Sequence, residues 1–345
     1  MITTTTRQHQ LRQHLPGRSA ARSVEHQAAL AARLTPRDKW LLALLYEHRV
    51  LTSAQIQDAA FPSGRSTRQR LRELYLWRAV SRFQPFRQLG SAPMHYVLGP
   101  AGAAVLAAEH GLDVKDLGYR HDRAMAIAHN QRLAHTVGVG GFFTSLIASS
   151  RIRGGRAVTA WWSESRCARH FGDLVIPDAY GRWRGAAGEL EFFLEYDTGG
   201  ESLPKVARKL LAYARLADST GIATPVLFWL PTSRREAGAR AALTRLQADL
   251  ERPADVPVAT AAADFLNPAA ACPSPADEVW LPLGTSQAKP RSPRYELGEL
   301  TNAWPHIPPP AASDLDEAAD GAAGQATAYR PPPPPPTPPK ASTRL

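Results

Sequence analysis

Cysteine is nearly absent from this chain: its 345 residues include only Cys167 and Cys272. Two cysteines this far apart give neither a disulfide framework nor a zinc-binding spacing, which fits a reducing cytoplasm. Long apolar runs are also missing. The longest, such as residues 41–45, fall far short of the ~20 residues that span a bilayer, so no membrane partner is expected. The opening stretch MITTTTRQHQLRQHLPGRSAARS has no apolar segment and does not read as a secretory signal. Acidic residues are scarce in the first half. Residues 1–150 carry 19 Lys/Arg against 9 Asp/Glu, whereas residues 151–250 carry 15 against 11 and residues 251–345 carry 7 against 11. Arginine supplies nearly all of the excess, and its planar fork matches phosphate oxygens and guanine edges better than a lysine ammonium does. Double-stranded DNA is therefore the leading partner, with GC-rich codon usage as the alternative source of arginine.

A hydrophobic content of 44% supports real cores, and the length suits two domains. Residues 1–33 read as a disordered basic arm. Residues 34–112 form the first expected domain. Thr35-Pro36-Arg37-Asp38 starts a helix with an N-cap threonine, a proline in the first turn and an acid behind it. Trp40, Leu41, Leu44 and Leu45 then repeat at helical spacing. A second helix begins near Thr52. A third, capped by Ser66 or Thr67, turns Leu71, Leu74 and Tyr75 inward and Arg65, Arg68, Gln69, Arg70 and Arg72 outward. Two strands follow, over residues 80–86 and 95–98, around a Gly90-Ser91-Ala92-Pro93 turn.

Three helices and a hairpin in that order describe a winged helix-turn-helix, whose third helix enters the major groove while the wing touches the backbone or minor groove. Arg65, Thr67, Arg68, Gln69 and Arg72 are then the candidate DNA contacts on the helix, with Arg82 and Arg87 on the wing. The competing reading is a solvated helix face. Residues 119–150 read as a long helical stretch, weakened in its middle by Gly138, Gly140 and Gly141.

Residues 113–284 form the second expected domain, with the order α-β-β-β-α-β. Its strands are expected over residues 157–164, 174–180, 189–197 and 225–231, with helices over 201–218 and 234–251. In the third strand, Leu190, Phe192, Leu194 and Tyr196 share one face, while Glu195 and Asp197 share the other. Asp178 ends the second strand. Pairing of these strands brings Asp178, Glu195 and Asp197 to one sheet edge, an arrangement that needs a cation or a raised pKa to relieve the repulsion. Glu201, Lys205, Lys209 and Tyr213 form a polar stripe on the next helix. The alternatives are a solvated strand face and a surface Glu201–Lys205 pair. From residue 285 to 345 proline and alanine dominate, and this tail is expected to be disordered with polyproline II character.

The element order, with Pro177-Asp178 followed 17 residues later by Glu195, resembles the PD-(D/E)xK nuclease fold, a restriction-endonuclease-like domain. The resemblance implies that Asp178 and Glu195 hold Mg2+ and that a lysine two residues on assists; Asp197 occupies that lysine position here. Lys205 and Lys209 are the candidate substitutes, so the catalytic set implied is Asp178, Glu195, Asp197, Lys205 and Lys209.

The segments LTPRDKWLLALLYEHRVLTSAQI, RQRLRELY, Arg132-Leu133-Ala134-His135 and FFLEYDTGGESLPKVARKLLAY resemble the replication-relaxation proteins of actinobacterial plasmids and mobile elements. That resemblance implies a DNA-binding role in replication or transfer of such an element, alongside other replication or transfer proteins. Two further functions stay open: a Mg2+-dependent endonuclease or nickase, and a transcriptional regulator.

Overall fold

A computed structural model describes residues 32–86, 90–284, 293–310 and 330–339, together with His26, Ala29 and Leu30. The chain is a mixed α/β protein with two sheets. It divides into two compact units, separated after Gly140, with residues 330–339 belonging to the first unit.

The first unit runs α1 (Pro36–His48), β1 (Leu51–Thr52), α2 (Ser53–Ala60), α3 (Gly64–Leu76), β2 (Val80–Phe83), β3 (His95–Leu98) and α4 (Pro100–Glu109). Its sheet has the order β1-β3-β2, antiparallel throughout. Thr35 caps α1 as expected: its hydroxyl accepts from the Asp38 N–H while Asp38 reaches back to the Thr35 N–H, a reciprocal capping box. Leu41, Leu44 and Leu45 are buried. The third helix begins one turn earlier than expected, with Ser63 as its cap, because Ser63 supplies both the accepting hydroxyl and an extended backbone.

Residues 113–140 group with this first unit, not with the second as their place in the chain had implied. The reason is packing: Ile127, Met125, Leu133 and Val137 lie against Val50 and Val97. The stretch is also two helices, α5 (His121–Ala126) and α6 (Leu133–Arg153). The break comes at Asn130, whose side chain accepts from the Arg132 N–H, and the glycines sit inside α6.

In the second unit the order is β4 (Ala157–Ser163), α7 (Glu164–Phe171), β5 (Ala179–Gly185), β6 (Gly188–Tyr196), α8 (Leu203–Thr220), β7 (Val226–Leu230), α9 (Ser233–Ala248), β8 (Val258–Ala262) and β9 (Leu281–Pro282). These strands form one six-stranded sheet in sequence order. The pairs β4–β5, β5–β6 and β8–β9 are antiparallel, whereas β6–β7 and β7–β8 are parallel. Helix α7 was not anticipated. The apolar run Leu174-Val175-Ile176 is not strand either; the second strand starts after Asp178 and carries the more polar AYGRWRG sequence.

Both faces of the sheet are covered. On one, Val206, Leu210, Tyr213, Ala239 and Leu243 of α8 and α9 pack on Phe193, Val226 and Phe228. On the other, Phe143 of α6 stacks on Trp161 at 4.9 Å and lies 6.1 Å from Phe192, and Phe142 meets Trp229 edge-on at 5.5 Å. Gly181 of β5 is where this layer closes down: a Cβ there would stand 2.7 Å from both Phe143 and Phe192.

Some residues of the tail and of the arm expected to be disordered are placed against folded elements. Residues 293–310 belong to the second unit. There Arg294 pairs with the buried Glu236 at 2.7 Å, Arg156 pairs with Glu296 at 2.6 Å, and Leu297, Leu300 and Trp304 are buried. These apolar and arginine anchors, spaced among the prolines, provide what a bare Pro/Ala tail lacks. In the expected basic arm, Leu30 is buried and His26 is hydrogen-bonded to the Trp77 carbonyl; residues 1–25 of that arm, residues 285–292, 311–329 and 340–345 of the expected tail, and Arg87 lie outside the described residues.

Candidate functional site

The β5–β6 register decides which acids meet. Ala179 pairs with Leu194, so one step further the ladder sets Asp178 opposite Glu195. The Asp178 carboxylate then accepts the Tyr196 N–H at 2.8 Å. Asp178 therefore stands just before its strand, not at the end of one, and still reaches the expected partner. Parallel pairing of Glu195 with Phe228 places this point inside the sheet rather than at a free edge. Helix α8 covers it from above.

Glu195 is only 3% exposed and Asp178 8%, which excludes a solvated strand face for these two residues. Lys209 donates to Glu195 Oε2 at 2.5 Å and Tyr213 donates to Oε1 at 2.5 Å. The two donors are four residues apart on α8, one turn of the helix, so both point at the same carboxylate. Burial pushes the Glu195 carboxyl up to about 7 and the Asp178 charge adds to the rise, while Lys209 and Tyr213 pull it back. Burial alone would lower the Lys209 ammonium, but Glu195 and Asp178 outweigh it and raise its pKa. Burial, followed by the Glu195 charge, holds the Tyr213 phenol well above its ordinary value, so it remains a donor.

The other two members of the expected set sit elsewhere. Asp197 is bound by the Arg235 guanidinium of α9, with Nη2 to Oδ1 at 3.1 Å, and also accepts the Gly199 N–H at 2.7 Å. Lys205 pairs with Glu201 at 2.5 Å and its side chain is 64% exposed, the i, i+4 surface pair that the sequence allowed as an alternative. Among the described residues, Lys209 alone brings a lysine to the acids, and Arg235 was not anticipated. Its signal was weak: an arginine early in α9, 38 residues from Asp197, with no periodicity linking the two.

These residues do not fit the Mg2+ ion that the nuclease resemblance implied. Glu195 already holds an ammonium and a phenol, one Asp178 oxygen is taken by a backbone N–H, and Asp197 is neutralised by Arg235. Among the described residues, no three His, Cys, Asp or Glu side chains stand together in a way that could hold a metal.

On α3, Arg65, Arg68, Gln69 and Arg72 are exposed. Arg65, Arg68 and Arg72 recur at helical spacing on one face, opposite Leu71 and Leu74. Thr67 is a correction: it is buried, and its hydroxyl donates to the Ser63 carbonyl at 2.7 Å, because its position falls on the inward stripe. Arg70 also turns inward. It makes a two-pronged contact with Asp38 at 2.9 and 2.5 Å and a further bond to Glu73 at 2.6 Å, tying α3 to α1. Arg82 on β2 is half-buried, with its guanidinium 4.2 Å from the centre of the Tyr75 ring.

Comparison with known families decides the relationship. The replication-relaxation family matches residues 42–227, more than half of the chain. This chain belongs to the replication-relaxation family. Neither the curated proteins nor the solved structures include a match to it. The family match covers α2, α3 and the whole Asp178–Glu195–Lys209–Tyr213 cluster, so both candidate surfaces of this replication-relaxation protein lie within it. Among the described residues, no helix is long and apolar enough to cross a membrane.

Proposed function

We propose that this replication-relaxation protein is a DNA-binding protein that acts in replication or transfer of a plasmid or mobile element. In this reading the first unit is a winged helix-turn-helix whose α3 lies in the major groove, with the β2–β3 hairpin as its wing. The second unit is a PD-(D/E)xK-like domain that has exchanged its metal site for an internal Glu195–Lys209–Tyr213 cluster.

The observation that carries the proposal is the division of α3 into two faces. Leu71, Leu74, Thr67 and Arg70 face the unit's interior, while Arg65, Arg68, Gln69 and Arg72 are exposed on the other side. Long guanidinium side chains on one exposed helical face suit phosphate and base-edge contacts in a duplex groove. Phosphate contacts release counterions, so binding should weaken steeply with salt.

The test is a titration of duplex DNA with the full-length protein at several salt concentrations. Combined substitution of Arg65, Arg68 and Arg72 by alanine should weaken binding at low salt by on the order of 100-fold or more and flatten the salt slope. Unchanged affinity would remove the proposal. Cleavage of supercoiled plasmid in Mg2+ or Mn2+ that is lost on Asp178→Ala or Glu195→Ala would replace it with the nickase reading.

A further inference from the structure

The C-terminal polyproline segment is not idle surface. Residues 330–339 lie along α1 in the first unit. The Trp40 indole N–H donates to the Pro335 carbonyl at 2.6 Å. Arg330, just before the first proline, pairs with Glu47 at 2.9 Å and places its guanidinium 5.7 Å from the centre of the Tyr46 ring. Trp40 and Glu47 are seven residues apart on α1, two helical turns, and so share one stripe. Both are covered: Trp40 is 5% exposed and Glu47 1%.

From Pro331 to Pro335 the pattern follows a threefold helix, which Pro336, also buried, interrupts. Pro331 and Pro334 are buried, the residues after each are exposed, and Pro333 is intermediate. A polyproline II helix has three residues per turn, so every third ring returns to the same side. It also leaves its carbonyls free of internal hydrogen bonds, ready for an outside donor such as an indole N–H. An aromatic-lined surface, one indole donor and one carboxylate for a flanking arginine are the recurring chemistry of polyproline recognition.

We propose that the Trp40–Tyr46–Glu47 face of α1 is a polyproline-recognition groove, with the chain's own arginine-led segment as its resident, displaceable ligand. The groove and the exposed arginine stripe of α3 use different residues, so this assignment stands or falls independently of DNA binding.

The test uses the full-length protein and a fluorescent peptide with the sequence AYRPPPPPPTPPK, residues 328–340. In a released variant, Arg330→Glu with Pro331→Ser and Pro334→Ser, the tethered segment no longer fills the groove. The peptide should bind this variant at least ten-fold more tightly than wild type, where the tethered segment competes at an effective concentration of ~1 mM. Adding Trp40→Phe, which keeps a ring and removes the N–H, should cut peptide affinity by roughly ten-fold. A peptide with glutamate in place of its arginine should fail on the released variant and recover when Glu47→Arg is added. Equal binding to wild type and released variant would overturn the proposal, as would no binding to a released variant whose circular dichroism and melting match wild type. A wild-type dimer by light scattering that becomes monomeric in the released variant would also overturn it, by assigning the segment to a second copy.

Discussion

Replacing Lys209 by methionine keeps the length of the side chain and removes the ammonium 2.5 Å from Glu195. The consequence depends on pH in a way the cluster specifies. Folding raises the Glu195 carboxyl from 4.5 to about 7. Below 4.5 it is protonated in both the folded and unfolded chain and contributes no slope. Between 4.5 and about 7 the unfolded chain has released the proton and the folded chain has not, so stability falls as pH rises. At about 1.4 kcal/mol per pKa unit, the full cost above pH 7 is ~3 kcal/mol in the wild type. Lys209 itself is charged in both states throughout this window, because its raised folded pKa matters only from the unfolded 10.5 upward. Its attraction to Glu195 is felt only when Glu195 is ionised, while Asp178 and Glu201 also hold its charge. Breaking a buried pair costs about 3–5 kcal/mol; with the Lys209 side chain 34% exposed, water screens part of that, and ~1–3 kcal/mol is expected. The variant should therefore fall ~1–3 kcal/mol further below wild type at pH 8.5 than at pH 5. Urea unfolding followed by circular dichroism at both pH values measures this. A loss of the same size at pH 5 and pH 8.5 would refute the idea that Lys209 acts by neutralising a buried carboxylate.

Other outcomes follow from single contacts. Glu195→Gln should abolish most of the wild-type fall in stability between pH 5 and 7.5, since no carboxyl remains to ionise at that position; an unaltered melting-temperature profile would contradict it. Gly181→Ala should destabilise by about 1–3 kcal/mol, because the new methyl meets Phe143 and Phe192 at 2.7 Å; chemical denaturation reports the change. Arg70→Ala leaves Asp38 buried without its guanidinium and should cost about 2–4 kcal/mol in the first unit, whereas Lys205→Ala, which breaks only an exposed pair, should change stability by less than about 0.5 kcal/mol. Plasmid incubated with Mg2+ or Mn2+ should stay supercoiled at protein concentrations that saturate DNA binding; the gel assay shows nicking directly if it occurs.

Sequence by itself carried the features that depend on neighbours in the chain. The α1 capping box, the apolar stripes of α3 and α8, the fully apolar β7 and the i, i+4 step from Lys209 to Tyr213 all follow from local periodicity. The 17-residue interval between Asp178 and Glu195 was also legible, and the antiparallel register makes them partners even though the expected strand boundary was displaced. That boundary was missed because Leu174-Val175-Ile176 has strand-like composition, while the real β5, with two glycines and two arginines, does not.

The partner of each charge, by contrast, was set by long-range packing. Periodicity put Glu195 and Asp197 on the same side of β6, but α8 brought a lysine and a tyrosine to the first, and α9 brought Arg235 to the second. Likewise Arg70 looked like one more outward arginine until α1 placed Asp38 beside it. The physical reason is range. Helix caps and stripes are set within a few residues, whereas the environment of a buried charge is set by whichever distant element packs over it, and that packing moved the Glu195 carboxyl to about 7.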